Sequence, residues 1–320
     1  MPQRFVILDF LRFAFAMAVF LGHAHALFAS RHAHLAVDYF FILSGFVLSY
    51  AYYRKVENKG FITSFIKDRF ARLYPLHAYT LIVFVLLNFW FTDITTHPLE
   101  DRWSYQDGRA YTLLLNIGLL NNVGLSPSGP SWNAPAWSIS VEFWINIAIA
   151  IAAYIFRKRV VPLLLLGSVV AYVILLRHPE GLGVFYTNLR GWLNTGLLRG
   201  IGGMGLGVAC FAAYNVILGK FKSINITVLA AIALALIAAQ IYIISGGYSP
   251  ISTDFIIAPI SALTVVVVAV FETRVNLSMR IPRHSDTQST LIRTPVPRSF
   301  GQAVEAQRRR GGIVSPRCPA

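Results

Sequence analysis

The chain has 320 residues, 56% hydrophobic and only 13% charged, against about 25% charged in an ordinary soluble domain. The apolar residues fall in several long runs, which excludes a soluble domain with a single anchor and indicates a polytopic membrane protein. A net charge of +14 would suggest nucleic acid in a soluble chain, but most basic residues sit in short loops between the runs, as membrane orientation requires, so no nucleic-acid partner is expected.

Two cysteines, Cys210 within a run and Cys318 near the end, give no basis for a structural disulfide or a cysteine-rich metal site. The first run, Phe5–Phe28, exceeds the roughly 20 residues needed to cross a bilayer core. It is too long for a signal-peptide core and no small-residue cleavage site follows, so it is expected to be retained. It nevertheless holds Asp9, Arg12, His23 and His25. A central Asp or Arg costs about 2.5–3.5 kcal/mol on insertion scales, so such groups usually face a bundle interior. Asp9 and Arg12 are close enough along a helix to pair. Arg12 and His23, eleven positions apart, share one face with His23 about 16 Å further along the axis, whereas His25 points away. Either this stripe carries function, or Asp9 and Arg12 are an interfacial pair and His23 a satisfied polar residue.

His32 and His34 lie in the following short loop, where a polar loop is a better reading than zinc. The second run, Val37–Tyr53, is interrupted by Ser44 and Gly45, a small pair that permits close helix approach or a ligand beside the backbone. The next loop, Arg54–Arg72, carries Arg54, Lys55, Lys59, Lys67, Arg69 and Arg72 against Glu57 and Asp68, which places it, and the N-terminus, on the cytoplasmic side. Arg69 and Arg72 lie just before Pro75, in an amphipathic helical segment that leads into the third span. Two guanidiniums there suit a phosphate or pyrophosphate, or they are topology determinants on anionic lipid.

A third span, Leu76–Phe91, leads to an outer loop richer in acids than bases. Ala110–Leu120 is short for a crossing, and counting it as one would put Arg157, Lys158 and Arg159 outside, so it reads as re-entrant. In GPSWNAPAWSISVEFWINI, Glu142 enters the next span, Trp137–Phe156. It is either paired, with Arg12 or a histidine, or interfacial beside the tryptophans. Four more spans follow: Val160–Leu176, Leu197–Leu218, Thr227–Ser245 and Phe255–Phe271. Arg199 is a further intramembrane charge, beside GIGGMGLG. No strand precedes that glycine run, so close helix packing explains it better than a dinucleotide loop.

The fold class is therefore all-α: a helical bundle of eight crossings, or nine membrane segments with the re-entrant one, and both termini inside. Residues 1–276 form the membrane domain. Residues 277–320 hold eight arginines, five prolines, two acids and one aromatic, too little apolar material for a core, so a disordered basic tail is expected.

Four motifs, in order over about residues 5 to 275, resemble the acyltransferase-3 family of integral membrane acyltransferases. They are LDFLRFAFAMAVFLGH with Arg12 and His23, VDYFFILSGF with Ser44 and Gly45, RFARLYP with Arg69 and Arg72, and WSISVEF with Trp137, Ser138 and Glu142. The resemblance implies O-acetylation of polysaccharide, lipopolysaccharide or a lipid-linked sugar at a bacterial inner membrane, with acetyl-CoA or another acyl-CoA as donor and no metal. It implies His23 as base, Arg69 and Arg72 on the coenzyme A phosphates, and motif positions without a settled role for Arg12 and Glu142. Members usually close with a further hydrophobic helix, and the chain is expected to lack it, as after a truncated or frame-altered C-terminus. Two readings compete: a transporter or flippase using Asp9, Arg12, His23 and Glu142 as a relay, and an inactive truncated relative.

Overall fold

A computed structural model describes residues 4–23, 32–53, 55–94, 108–126, 129, 131–189, 191–220, 224–246 and 251–275, by backbone alone at 91–94 and 251–253. His25, Arg54, most of the outer loop before Gly108, and the tail expected over 277–320 lie outside these residues.

The described residues form nine α-helices: α1 Val6–His23, α2 Ala36–Tyr52, α3 Phe61–Ile94, α4 Arg109–Ile117, α5 Trp137–Phe156, α6 Val160–Leu176, α7 Thr195–Lys220, α8 Ile226–Ile244 and α9 Ile257–Val275. Two two-residue strands, β1 Asn188–Leu189 and β2 Leu193–Asn194, pair antiparallel ahead of α7. Among the described residues, seven stretches are long and apolar enough to cross a membrane. One of them, Ala134–Leu176, contains both α5 and α6, broken at Arg157, where φ is 46°. That left-handed turn at a non-glycine residue reverses the chain, and both helices then pack on α7. Counted separately, α5 and α6 make eight candidate crossings, the number expected. The ninth helix, α4, has nine residues and a length of about 13 Å, too short to cross.

The centre is α2, packed against α7, α9, α1 and α5. Backbone contact makes its crossing with α7 possible. A Cβ on Gly45 would meet the Met204 carbonyl, and one on Gly207 would meet the Ile42 carbonyl. Without a hydrophobic driving force between helices in lipid, such small-residue contacts supply much of the association. Around this crossing, Phe46, Phe5, Tyr50, Phe211 and Tyr214 pack mostly edge to face, tying α1, α2 and α7 together.

The start of α1 is held from the far end of the chain. Glu272, near the end of α9, accepts hydrogen bonds from the Val6, Ile7 and Leu8 amides at 2.5, 2.8 and 3.1 Å. Those amides have no acceptor within their own helix, and a carboxylate suits the positive helix end. In α3, Pro75 lies inside a continuous helix of 34 residues, so the amphipathic segment and the third span are one element. The irregular chain after α4 is buried and polar. Ser140 and Trp144 both donate to the Leu119 carbonyl, at 2.6 and 2.8 Å, Asn122 donates to the Phe185 carbonyl, and His77 Nε2 of α3 donates to the Asn116 carbonyl at 2.8 Å. Non-helical backbone at this depth is satisfied by protein, as an apolar surround demands.

Candidate active site

Glu142 enters the bundle on the second turn of α5, and Ser44 stands two turns into α2. The Ser44 hydroxyl donates to Glu142 Oε1 at 2.5 Å. Two motifs 98 residues apart therefore meet through one short charge-assisted bond. The serine is buried and the glutamate half-buried. One turn further along α5, on the same side of the helix as Glu142, Asn146 is fully buried, and neither atom of its amide has a hydrogen-bond partner.

From the other side, α3 delivers Arg69. Its side chain is only 6% exposed, and its guanidinium carbon lies 5.4 Å from the Tyr52 ring centre and 5.3 Å from that of Phe65. The aromatic faces stabilise the cation without neutralising it, and the Glu142 carboxylate is near enough to attract it. Arg72, three residues on, is exposed. The pair thus presents one cation inside the bundle and one on its surface, not two in a single fork.

On α1 the inward line is Leu8, Leu11 and Phe15. Asp9 and Arg12 sit beside it, their side chains 38% and 36% exposed and 3.9 Å apart. The nearer partner of Asp9 is Arg4, at 2.7 Å. His23, the last residue of the helix, is exposed, and its Nδ1 lies 2.8 Å from the Val19 carbonyl. A carbonyl can only accept, so Nδ1 carries the proton and, in the neutral ring, Nε2 presents its lone pair outward. Among the described residues, no hydrogen bond or ion pair joins Arg12 or His23 to Glu142.

Trp137 opens α5, stacked on Phe185 at 4.6 Å and edge-on to Phe41; Ser138 beside it is partly exposed. Over the Trp137 ring, at 5.6 Å, lies the Arg199 guanidinium. Arg199 donates to Asp38 Oδ2 at 2.6 Å and to the His34 carbonyl at 3.1 Å. Both charged side chains are wholly buried. The sequence marks Arg199 as an intramembrane charge but does not single out Asp38. The available signal was that an Asp at the head of an apolar helix needs an opposite charge. Asn146 was likewise missed in a row of aliphatic residues. His34 Nε2 is 4.0 Å from Asp254 Oδ2. Among the described residues, no group of three or more His, Cys, Asp or Glu side chains gathers as metal ligands.

The arrangement offers a half-buried carboxylate held by a hydroxyl, a cation inside the bundle and an unpaired amide, with an exposed imidazole at the end of α1. This is the equipment of proton transfer and charge stabilisation. Comparison with known proteins points the same way. Protein 2 in the picA locus of Rhizobium radiobacter is 36% identical over 159 residues, covering 47% of this chain and 82% of that protein. Acyltransferase MdmB of Streptomyces mycarofaciens is 32% identical over 124 residues, 39% of this chain and 29% of MdmB. No solved structure matches. A family described as an acyltransferase domain matches residues 5–284, so the chain belongs to the acyltransferase-3 family and is a multi-pass membrane acyltransferase of groups other than aminoacyl.

Proposed function

We propose that residues 1–276 transfer an acetyl group from acetyl-CoA, or a related acyl group, to a hydroxyl of an exported polysaccharide, lipopolysaccharide or lipid-linked sugar. The observation that carries this reading is His23. Its bond to the Val19 carbonyl selects the tautomer in which Nε2 is basic, as a general base for an attacking hydroxyl requires. His23 takes the hydroxyl proton as the sugar oxygen attacks the thioester carbonyl. Collapse of the tetrahedral oxyanion breaks the C–S bond, and the departing thiolate recovers the proton. The thioester is already activated, so no covalent enzyme intermediate is needed.

The bilayer orientation in this reading is N-terminus inside, at a bacterial inner membrane. Lys55, Lys59, Lys67, Arg157, Lys158, Arg159, Lys220 and Arg274 sit where α2, α5, α7 and α9 end or where α3 and α6 begin. This one-sided basic excess supports reading that face as cytoplasmic. On α3, which begins at that surface, Arg69 lies inside the bundle and Arg72 outside it, which suits a cytoplasmic donor whose phosphates stay outside. His23 closes the opposite end of α1, toward an exported acceptor. Arg12, 3.9 Å from Asp9, adds a charge along the route, and the oxyanion is left to backbone amides as donors.

The test is transfer of labelled acetyl from acetyl-CoA to membrane glycans by membranes holding the chain, His23→Ala, or Arg69→Ala with Arg72→Ala. Transfer by the parent and loss in both variants at matched protein levels is the expected result. A parent that uses no acyl-CoA, or a His23→Ala variant with full activity, overturns the reading.

A further inference from the structure

Asn146 has no structural explanation of its own. It lies near the middle of α5, with neither amide atom paired. Burying an amide without partners in a protein interior costs about 1–3 kcal/mol. An aliphatic residue at this position would match Ile145, Ile147 and Ile149 around it and avoid that cost. Its neighbours are functional: Glu142, bonded to Ser44, is one turn back along the same side of α5, and α5 packs against α2 and against α3, which carries Arg69.

We infer that Asn146 is a donor-binding residue whose carboxamide pairs with a secondary amide of the pantetheine arm of acyl-CoA. A primary amide offers one face with a donor, Nδ2–H, and an acceptor, Oδ1. A secondary amide presents the complementary C=O and N–H. A flexible arm with two such amides, passing between helices, has few other ways to satisfy them in an apolar bundle. The Ser44–Glu142 bond and the aromatic cradle of Arg69 leave those groups already engaged. The Asn146 amide alone among them has both its functions unused.

The inference rests on the acyl-CoA reading above, and its test separates the two. Purified full-length protein is assayed with acetyl-CoA and with two analogues, each having one pantetheine amide replaced by an ester, which removes that N–H. Asn146→Leu is expected to raise KM for acetyl-CoA about tenfold, the effect of one buried hydrogen bond with its desolvation, while kcat changes less than about threefold. One analogue is expected to be penalised in the parent and not in Asn146→Leu, because the two changes remove the same bond. Acetyl-CoA should also raise the thermal midpoint of the parent more than that of the variant. If Asn146→Leu does not accumulate in membranes, Asn146→Ala carries the same comparison.

An unchanged KM in a folded variant, or equal penalties for both analogues in parent and variant, overturns the assignment of Asn146 and means the amide holds a water or serves packing. If acetyl transfer and its dependence on His23 persist in that case, the acyltransferase reading stands. A parent without any use of acyl-CoA overturns both.

Discussion

Asp38 and Arg199 meet at 2.6 Å with neither side chain exposed, and theirs is the ion pair that joins α2 to α7 above the glycine crossing. Arg199 also reaches the His34 carbonyl and lies over Trp137, so one guanidinium fixes the starts of α2 and α5 together. Removing a single partner leaves an uncompensated charge inside the bundle, which costs about 3–5 kcal/mol, whereas removing both as an apolar pair is often neutral. Asp38→Leu and Arg199→Leu should each abolish stable accumulation in membranes. The double variant should recover most of it, short of the lost bond to His34. The amount of each variant accumulating in membranes, read by immunoblot, measures this, and equal losses in single and double variants would sink the idea.

The Glu272 carboxylate answers for three amides of α1 at once. Glu272→Ala leaves them buried or half-buried without an acceptor, at about 1–3 kcal/mol, and removes a negative charge from a helix N-terminus, worth about 0.3–1 kcal/mol more. The helix most affected is the one that carries Arg12 and His23. Glu272→Ala should therefore lower the thermal midpoint and make the N-terminal helix cleavable by added protease, and Glu272→Gln should show a smaller effect. Unchanged protease resistance in the alanine variant would show that α1 is held by its apolar face alone.

Most helices were legible from hydrophobic runs because a membrane core imposes length. The run Val160–Leu176 coincides with α6, and Val37–Tyr53 is displaced from α2 by one residue. The amphipathic segment that carries Arg69 and Arg72 runs on into the third span as one helix, with Pro75 inside it. A proline interior to a helix deletes one backbone bond, which a long helix packed in a bundle tolerates. At the site, period alone placed Arg12 and His23 on one stripe. Which stripe turns inward is decided by Leu8, Leu11 and Phe15 meeting the core, and that is a tertiary fact. The expected partner of Glu142 was a cation or a histidine. Its hydrogen-bond partner is Ser44, 98 residues earlier, a pairing that depends on the depth at which α2 and α5 cross.

The glycine crossing sets how closely α2 approaches α7. Gly45→Ala drives a methyl group into the Met204 carbonyl, and Gly207→Ala drives one into that of Ile42. Backbone cannot yield as a side-chain tip does, so α2 and α7 must separate, at about 1–3 kcal/mol for overpacking of this kind. Gly219→Ala, on the same helix with open space around its Cα, should be neutral or slightly favourable in helix propensity. Comparing thermal midpoints of the three variants checks the crossing. Indifference at Gly45 and Gly207 would mean that the helices sit further apart.

Ser44 and Glu142 allow a separation of structural from chemical roles. Ser44→Ala removes the hydroxyl donor but leaves the carboxylate, partly buried and lacking that bond, close to Arg69. Glu142→Gln keeps size and the capacity to accept from Ser44 while removing the charge. If Glu142 acts through its charge on Arg69 and the donor, Glu142→Gln should lose at least about tenfold in acyl transfer, as expected for a charged hydrogen-bonding partner, with little change in thermal stability. Ser44→Ala should lose less activity, because Arg69 can still attract the carboxylate. The reverse order, with Ser44→Ala inactive and Glu142→Gln near normal, would assign the chemistry to the serine hydroxyl and reduce Glu142 to its acceptor. Transfer rates at saturating acetyl-CoA, normalised to protein in the membrane, distinguish these outcomes.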